Sequence, residues 1–126
     1  MAETDWIEEF LPLYEKARPL VQEVGKSVRQ AQEENIIRAL KEAKVNMPAI
    51  LNAMKAIQSP KEKELRKIKK IFEKGLKEFI DSCDYGIKYF NKPNVFNHTM
   101  WIEVSNTAAK KMEEATTRFS QYADSN

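Results

Sequence analysis

The sequence predicts an all-α fold, an antiparallel up-down-up-down four-helix bundle, and three observations carry that prediction. Composition comes first. Among 126 residues Gly occurs three times and Pro five, with 42 % apolar and 32 % charged residues, a helix-forming vocabulary that lacks the turn builders a sheet requires. Second, apolar residues recur at steps of three and four along the whole chain, the spacing of a buried helical stripe rather than of a strand face. Third, the stripes can be paired in antiparallel register across the breaks between them. The length suits one compact domain, expected to span residues 1–126.

The first helix is expected over residues 5–31, on the stripe Ile7, Phe10, Tyr14, Ala17, Val21, Val24 and Val28, with Asp5-Trp6-Ile7-Glu8 as a weak capping start. Pro12 and Pro19 lie off that stripe, so they are expected as bends on the outer face. The second helix, residues 35–57, rests on Ile36, Leu40, Ala43, Met47, Ile50 or Leu51, Met54 and Ile57, with Pro48 inside it. Nothing between Ala31 and Asn35 forces a turn. The competing architecture therefore runs residues 19–57 as one helix, giving three long helices with a kinked first helix in a dimer.

The third helix, residues 60–90, carries Leu65, Ile68, Phe72, Leu76, Phe79, Cys83, Gly86 and Phe90. Ser59-Pro60-Lys61-Glu62 reads as its start, with Ser as the cap, Pro at the first helical position and Glu completing a capping box. Asn91-Lys92-Pro93-Asn94 ends it, because Pro cannot continue a helix and Asn suits both a turn and the next cap. The fourth helix, residues 97–123, presents Trp101, Val104, Ala108, Met112, Ala115, Phe119 and Tyr122, with Asn94 and Asn97 as rival caps. In the paired register Val28 meets Ile36, Leu40 meets Phe79, and Gly86 meets Trp101. Ala108 and Ala115 then face Phe79 and Phe72, large against small as a dense core needs.

Chemistry is sparse in this chain. It holds one His and one Cys, whereas acid, base or nucleophilic catalysis needs convergent groups. Cys83 falls in the apolar stripe and His98 starts the next helix, roughly 10 Å away along the bundle. They read as a packed core thiol and a solvated or capping imidazole. Bundle sites for paired metals use Glu-x-x-His, and the residue three before His98 is Val95. No Cys-x-x-Cys, glycine-rich phosphate loop or His-Glu-x-x-His occurs. The expectation is no enzyme, no metal and no cofactor. The acidic start Met1-Ala2-Glu3-Thr4-Asp5 and the lack of any long apolar run point to a cytoplasmic protein with no transmembrane segment, and the single cysteine agrees with a reducing compartment.

The informative feature is the third helix. At 100° per residue, Lys63, Arg66, Lys67, Lys70, Lys74 and Lys77 share one face opposite the core stripe, spread over roughly 21 Å. Glu62/Arg66 and Glu73/Lys77 are favourable i,i+4 pairs, but Lys63/Lys67, Arg66/Lys70 and Lys70/Lys74 are like-charged neighbours that weaken the helix. Local stability does not account for such a face, so it predicts an anionic partner. Tyr85 and Tyr89 continue its direction, as partner anchors or as a plug at the bundle end under the 91–97 loop. The function expected is a non-enzymatic interaction or assembly module, working by self-association or on a protein partner. The acidic residues Glu3, Asp5, Glu8, Glu9 and Glu15 offer one complementary surface. The alternatives are a non-specific nucleic-acid-binding accessory, and a small-molecule sensor or enzyme with a pocket near Tyr89, Phe96 and Trp101; no small-molecule ligand is itself predicted.

Overall fold

The computed structural model describes residues 3–125, with only the backbone of residues 3–5. Four helices follow one another: α1 (Glu3–Gln30), α2 (Glu33–Ala56), α3 (Lys63–Asn91) and α4 (Val95–Ser125), with no strand among the described residues. Cross-helix contacts run in opposite senses along neighbours, as in an up-down-up-down bundle. Glu78 meets Lys111 at 2.5 Å while Glu64, earlier in α3, meets Arg118, later in α4, at 3.2 Å. Likewise Phe10 stacks near Phe119 at 5.9 Å and Tyr14 reaches Thr116 at 3.4 Å.

The undetermined junction between the first two stripes is a two-residue turn. Ala31 adopts a left-handed conformation at φ 55°, and its N–H donates to the carbonyls of Ser27 and Val28, both at 3.1 Å. This is a helix C-terminus closed by a residue other than Gly, which is why no Gly announced it. The single helix over 19–57 is thereby excluded. Pro12 and Pro19 lie inside α1 with both rings exposed, on the outer face as expected.

The start of α3 departs from the expected capping box. The helix begins at Lys63, with Glu62 at the cap position but without a capping side-chain hydrogen bond, and residues 57–62 form an extended link. The Pro60 ring is buried, and the carbonyls of Pro60 and Lys61 accept bonds from the Arg66 guanidinium. Packing and that clamp outweigh the local preference for an earlier start. The longer link also shifts the α2–α3 register. A Cβ on Gly86 would lie 2.8 Å from Leu40 Cδ1, so Leu40 sits against Gly86, seven positions beyond its expected partner Phe79. At the other end Asn94 is the working cap of α4, its Oδ1 accepting from Asn97 N–H at 2.8 Å, while the Asn97 amide donates to the Lys92 carbonyl at 3.0 Å.

The core unites residues from all four helices, with α3 as its axis: Leu65, Ile68, Phe72, Leu76, Phe79 and Cys83 are buried. Leu51 rather than Ile50 takes the inner place in α2. Trp6, outside the expected stripe, is fully buried and stacks on Phe10 at 4.7 Å, one helical turn away, where i and i+4 side chains meet. Its indole Nε1 has no hydrogen-bond partner among the described residues.

Seam widths differ around the bundle, and residue size explains why. The α3–α4 seam is the closest in the molecule. Small residues make it so: Gly75 and Gly86 from α3, and Ala108 and Ala115, the only fully buried residues of α4. Gly86 faces Trp101, as the sequence predicts; a Cβ there would lie 2.8 Å from the indole Nε1. α1, in contrast, lies against α2, and its backbone hardly approaches α4. Consequently Tyr14, Val21, Val24, Trp101, Met112 and Phe119 are half-buried rather than core, and Val28 is 43 % exposed. No helix of the described residues is long and apolar enough to cross a membrane.

Candidate binding surfaces

Lys63, Arg66, Lys67, Lys70, Lys74 and Lys77 are all exposed on α3. Their surroundings divide them. Arg66 is tied down by the carbonyls of Pro60 and Lys61, which makes it a staple for the 57–62 link. Lys77 lies 3.5 Å from Asp81 rather than pairing with Glu73. Glu73 is instead taken by Lys69 at 2.7 Å, in an ion pair whose side chains are 10 % and 17 % exposed. Lys67, Lys70 and Lys74 have no hydrogen bond or ion pair among the described residues.

Lys55 of α2 joins them. It lines, with Lys70, Lys74 and Lys77, a shallow depression of about 250 Å3 whose remaining walls are Glu73 and Glu78. Both carboxylates are engaged by other bases, Glu73 by Lys69 and Glu78 by Lys111 at 2.5 Å, so the depression is cationic in balance. Sequence reasoning missed Lys55 because the expected α2–α3 register set it beside the start of α3. Lys69 was missed because it lies on the border between the core stripe and the basic face.

The two tyrosines behave differently. Tyr85 is half-buried, with Lys88 Nζ 5.3 Å from its ring centre. Tyr89 packs against Phe90 at 5.3 Å, His98 at 5.1 Å and Trp101 at 5.8 Å, in an aromatic cluster at the end of the bundle where residues 92–94 join α3 to α4. Phe96 stands 64 % exposed beyond it. The cavity that Trp101 and His98 line opens on the other side, toward α1.

That cavity is part of a furrow that follows the loose α1–α4 seam. Its wide end, about 530 Å3, lies among Val21, Val24, Val28, Phe79, Trp101 and Met112, with Arg29, His98, Ser105 and Asn106 at the rim. Val21 and Met112 also line a second space of about 240 Å3 above Phe72, and Tyr14, Phe72 and Thr116 join that one to a third of about 210 Å3 beside Phe10 and Phe119. From Phe10 to Arg29 the furrow follows α1 for about 28 Å at 1.5 Å per residue. Its walls are largely apolar; Arg18 and Glu113 near the middle and Arg29 and His98 at the wide end are its ionisable side chains apart from Tyr14, and Gln22, Ser105, Asn106, Thr116, Thr117 and Ser120 add neutral polar groups along it.

Among the described residues no three of His, Cys, Asp and Glu converge to hold a metal ion. Cys83 is fully buried, and that burial pushes its thiol up to about 12, against a smaller opposing effect of Ser82. Such a thiol stays protonated and unreactive. The Asp84 carboxyl is held below its ordinary value by the hydrogen bond from Lys44, with Lys88 adding to the effect and burial opposing it. Comparison of the chain with protein-family models, with curated proteins and with solved structures finds no match.

Proposed function

We propose that this chain is a non-enzymatic helical module that works by association, and that its cationic depression on α3 receives the acidic outer face of α1 from a second copy. One observation carries the reading: Lys55, Lys70 and Lys74 converge from two helices without acidic partners, while the carboxylates beside them are spent on Lys69 and Lys111. Unscreened like charges on a helix face weaken it by a few tenths of a kcal/mol, on the order of 0.2–0.5 per pair, a cost that an opposite surface removes. Glu8, Glu9 and Glu15 are exposed on α1; Glu3 and Asp5, which extend that patch in sequence, have side chains outside the described residues. A two-fold arrangement would use each pairing twice and close on itself.

Light scattering after gel filtration tests this. A dimer at low salt that dissociates by 0.5 M salt is expected, since screening shortens the reach of exposed charges to less than about 10 Å above 0.1 M. The triple change Lys67→Glu, Lys70→Glu and Lys74→Glu should abolish it, and mixing that variant with Glu8→Lys, Glu9→Lys and Glu15→Lys should restore a mixed dimer. A monomer at every salt concentration refutes the reading. Retention on mixed-sequence duplex DNA with a steep salt dependence would instead assign the lysines to phosphates.

A further inference from the structure

A furrow as apolar as that between α1 and α4 is a cost to a chain that leaves it empty, because Val28 and Ile102, 43 % and 45 % exposed, meet water on its lips. Its shape restricts what can fill it. Tyr14 Oη stands 3.4 Å from Thr116 Oγ1 and the Phe10 and Phe119 rings are 5.9 Å apart, so the two walls touch across the narrow half. A helix about 10 Å in diameter cannot lie along such a furrow, and neither can α1 of a second copy. A flexible unbranched chain can. The two wider spaces, about 530 and 240 Å3, share Val21 and Met112, and the larger alone lies in the size range of small-molecule sites, roughly 300–1,000 Å3.

Neutral polar side chains line the furrow throughout, and it is the charged groups that are unevenly balanced. Arg29, His98, Ser105 and Asn106 gather at the wide end, and Arg29 and His98 make no ion pair among the described residues. Position Gly25 has no side chain, and a Cβ there would come 3.3 Å from Arg29 Nη1, so the guanidinium lies back over the mouth. The C-terminal end of α1 and the N-terminal end of α4 meet here with opposite dipoles that offset each other. The sign of the mouth therefore rests on the arginine, with the imidazole beside it as a hydrogen-bonding group. Farther in, Arg18 and Glu113 are both present and balance in charge.

We propose that the α1–α4 furrow is a binding site for one free long-chain fatty acid, its carboxylate at Arg29 and His98 and its acyl chain running over Phe79 and Met112 toward Phe72. Each further buried methylene tightens binding about fourfold, so affinity rises with chain length until the tail reaches the Tyr14–Thr116 constriction. The site is separate from the lysine face and does not depend on it.

Titration of the full chain with palmitate below its micellar range, followed by calorimetry, tests the proposal. Saturable one-to-one binding is expected, at least a hundredfold tighter than hexanoate. Arg29→Gln should weaken palmitate about tenfold and leave the neutral hexadecanol unchanged. Ala109→Trp fills the wide end from an exposed position and should abolish binding while the helical circular dichroism stays intact. The triple glutamate variant of Lys67, Lys70 and Lys74 should bind palmitate as the natural chain does. Absent or non-saturable binding, or unchanged binding to the folded Ala109→Trp variant, overturns the site. Equal affinity for palmitate and hexadecanol overturns the carboxylate assignment, loss of binding in the triple variant moves the ligand to the lysine face, and cosedimentation with phosphatidylcholine vesicles would make the furrow a membrane contact instead.

Discussion

Replacing Gly86 by alanine sets two effects of opposite sign against each other. Alanine in place of glycine inside a helix gains about 0.5–1 kcal/mol from backbone entropy. At this position the new methyl would lie 2.8 Å from Leu40 Cδ1, 2.8 Å from Trp101 Nε1 and 2.9 Å from Trp101 Cε2. Leu40 is fully buried, the indole is rigid, and the two neighbours press from different helices, so neither can yield without moving a seam. Overpacking of a core costs about 1–3 kcal/mol, and contacts this short place the cost in the upper half of that range. The net expectation for Gly86→Ala is a loss of about 1–2 kcal/mol, a Tm lower by roughly 4–8 °C for a chain of this length. Gly25 supplies the control. Its added Cβ meets only the mobile end of Arg29 at 3.3 Å, so Gly25→Ala should raise stability by about 0.5–1 kcal/mol. Urea denaturation with a constant m-value measures both. Trp101→Phe in the Gly86→Ala background should recover part of the loss, a coupling of at least about 0.5 kcal/mol. Gly86→Ala as stable as the natural chain would refute the close approach of α2, α3 and α4 at this point.

Three further outcomes follow from local geometry. Ala31 holds a left-handed conformation at φ 55°, so Ala31→Gly should stabilise the chain by about 0.5–1 kcal/mol in urea denaturation; destabilisation would remove the turn after α1. Asn94→Ala deletes the cap on α4 and should cost about 1 kcal/mol, whereas Ser59→Ala, at a position outside any helix, should change stability by less than about 0.5 kcal/mol. Asp84→Asn should lose a few tenths of a kcal/mol near neutral pH, on the order of 0.2–1, because the pair with Lys44 at 2.6 Å is well exposed. The folded carboxyl titrates below its ordinary 3.8, so its contribution is complete above that value and disappears as pH falls through the folded one. The two stability curves should draw together as pH falls from about 4 toward the folded carboxyl's lower value and meet below that value, and a gap that stays constant as the pH is taken down through this window would refute the assignment.

What the sequence made legible is what a stripe encodes. Period alone marks four helices, and the observed ends fall within three residues of the expected ones. Gly86 against Trp101 could be read because a glycine and an indole at matching positions leave only one efficient packing. The link at residues 57–62 could not, because Ser-Pro-x-Glu has a strong local meaning that a buried proline ring and the Arg66 clamp override. That single miss moved the α2–α3 register by one heptad and hid Lys55 from the basic face. Ala31 was illegible for the opposite reason: the turn uses a residue whose intrinsic preference is helical, held in place by the two helices it joins. The basic face was legible residue by residue, and its internal division into a staple, a pair and free lysines was not, since i,i+4 spacing offers Glu73 two partners and only packing chooses Lys69.

The furrow follows from the same choice of residue sizes that closes the opposite seam. Gly75, Gly86, Ala108 and Ala115 let α3 and α4 approach closely, which draws α4 toward the axis of the core and away from α1. The large rings of Phe72 and Phe79 then fill the space behind, and α1 rests on them through Phe10 and Tyr14, whose rings lie 5.6 Å and 5.4 Å from Phe72. Closing the furrow by moving α1 toward α4 would have to displace those rings and lift Trp6, fully buried and stacked on Phe10, out of its place. A buried aromatic is worth about 1.5–3 kcal/mol, so the open seam is the stable arrangement for this set of side chains. Filling it with a ligand adds apolar contact at no cost to the three seams already made, whereas filling it with protein would require breaking one. That asymmetry distinguishes the two proposals: the partner proposed for the lysine depression meets it across water, and the ligand proposed for the furrow leaves water to enter it.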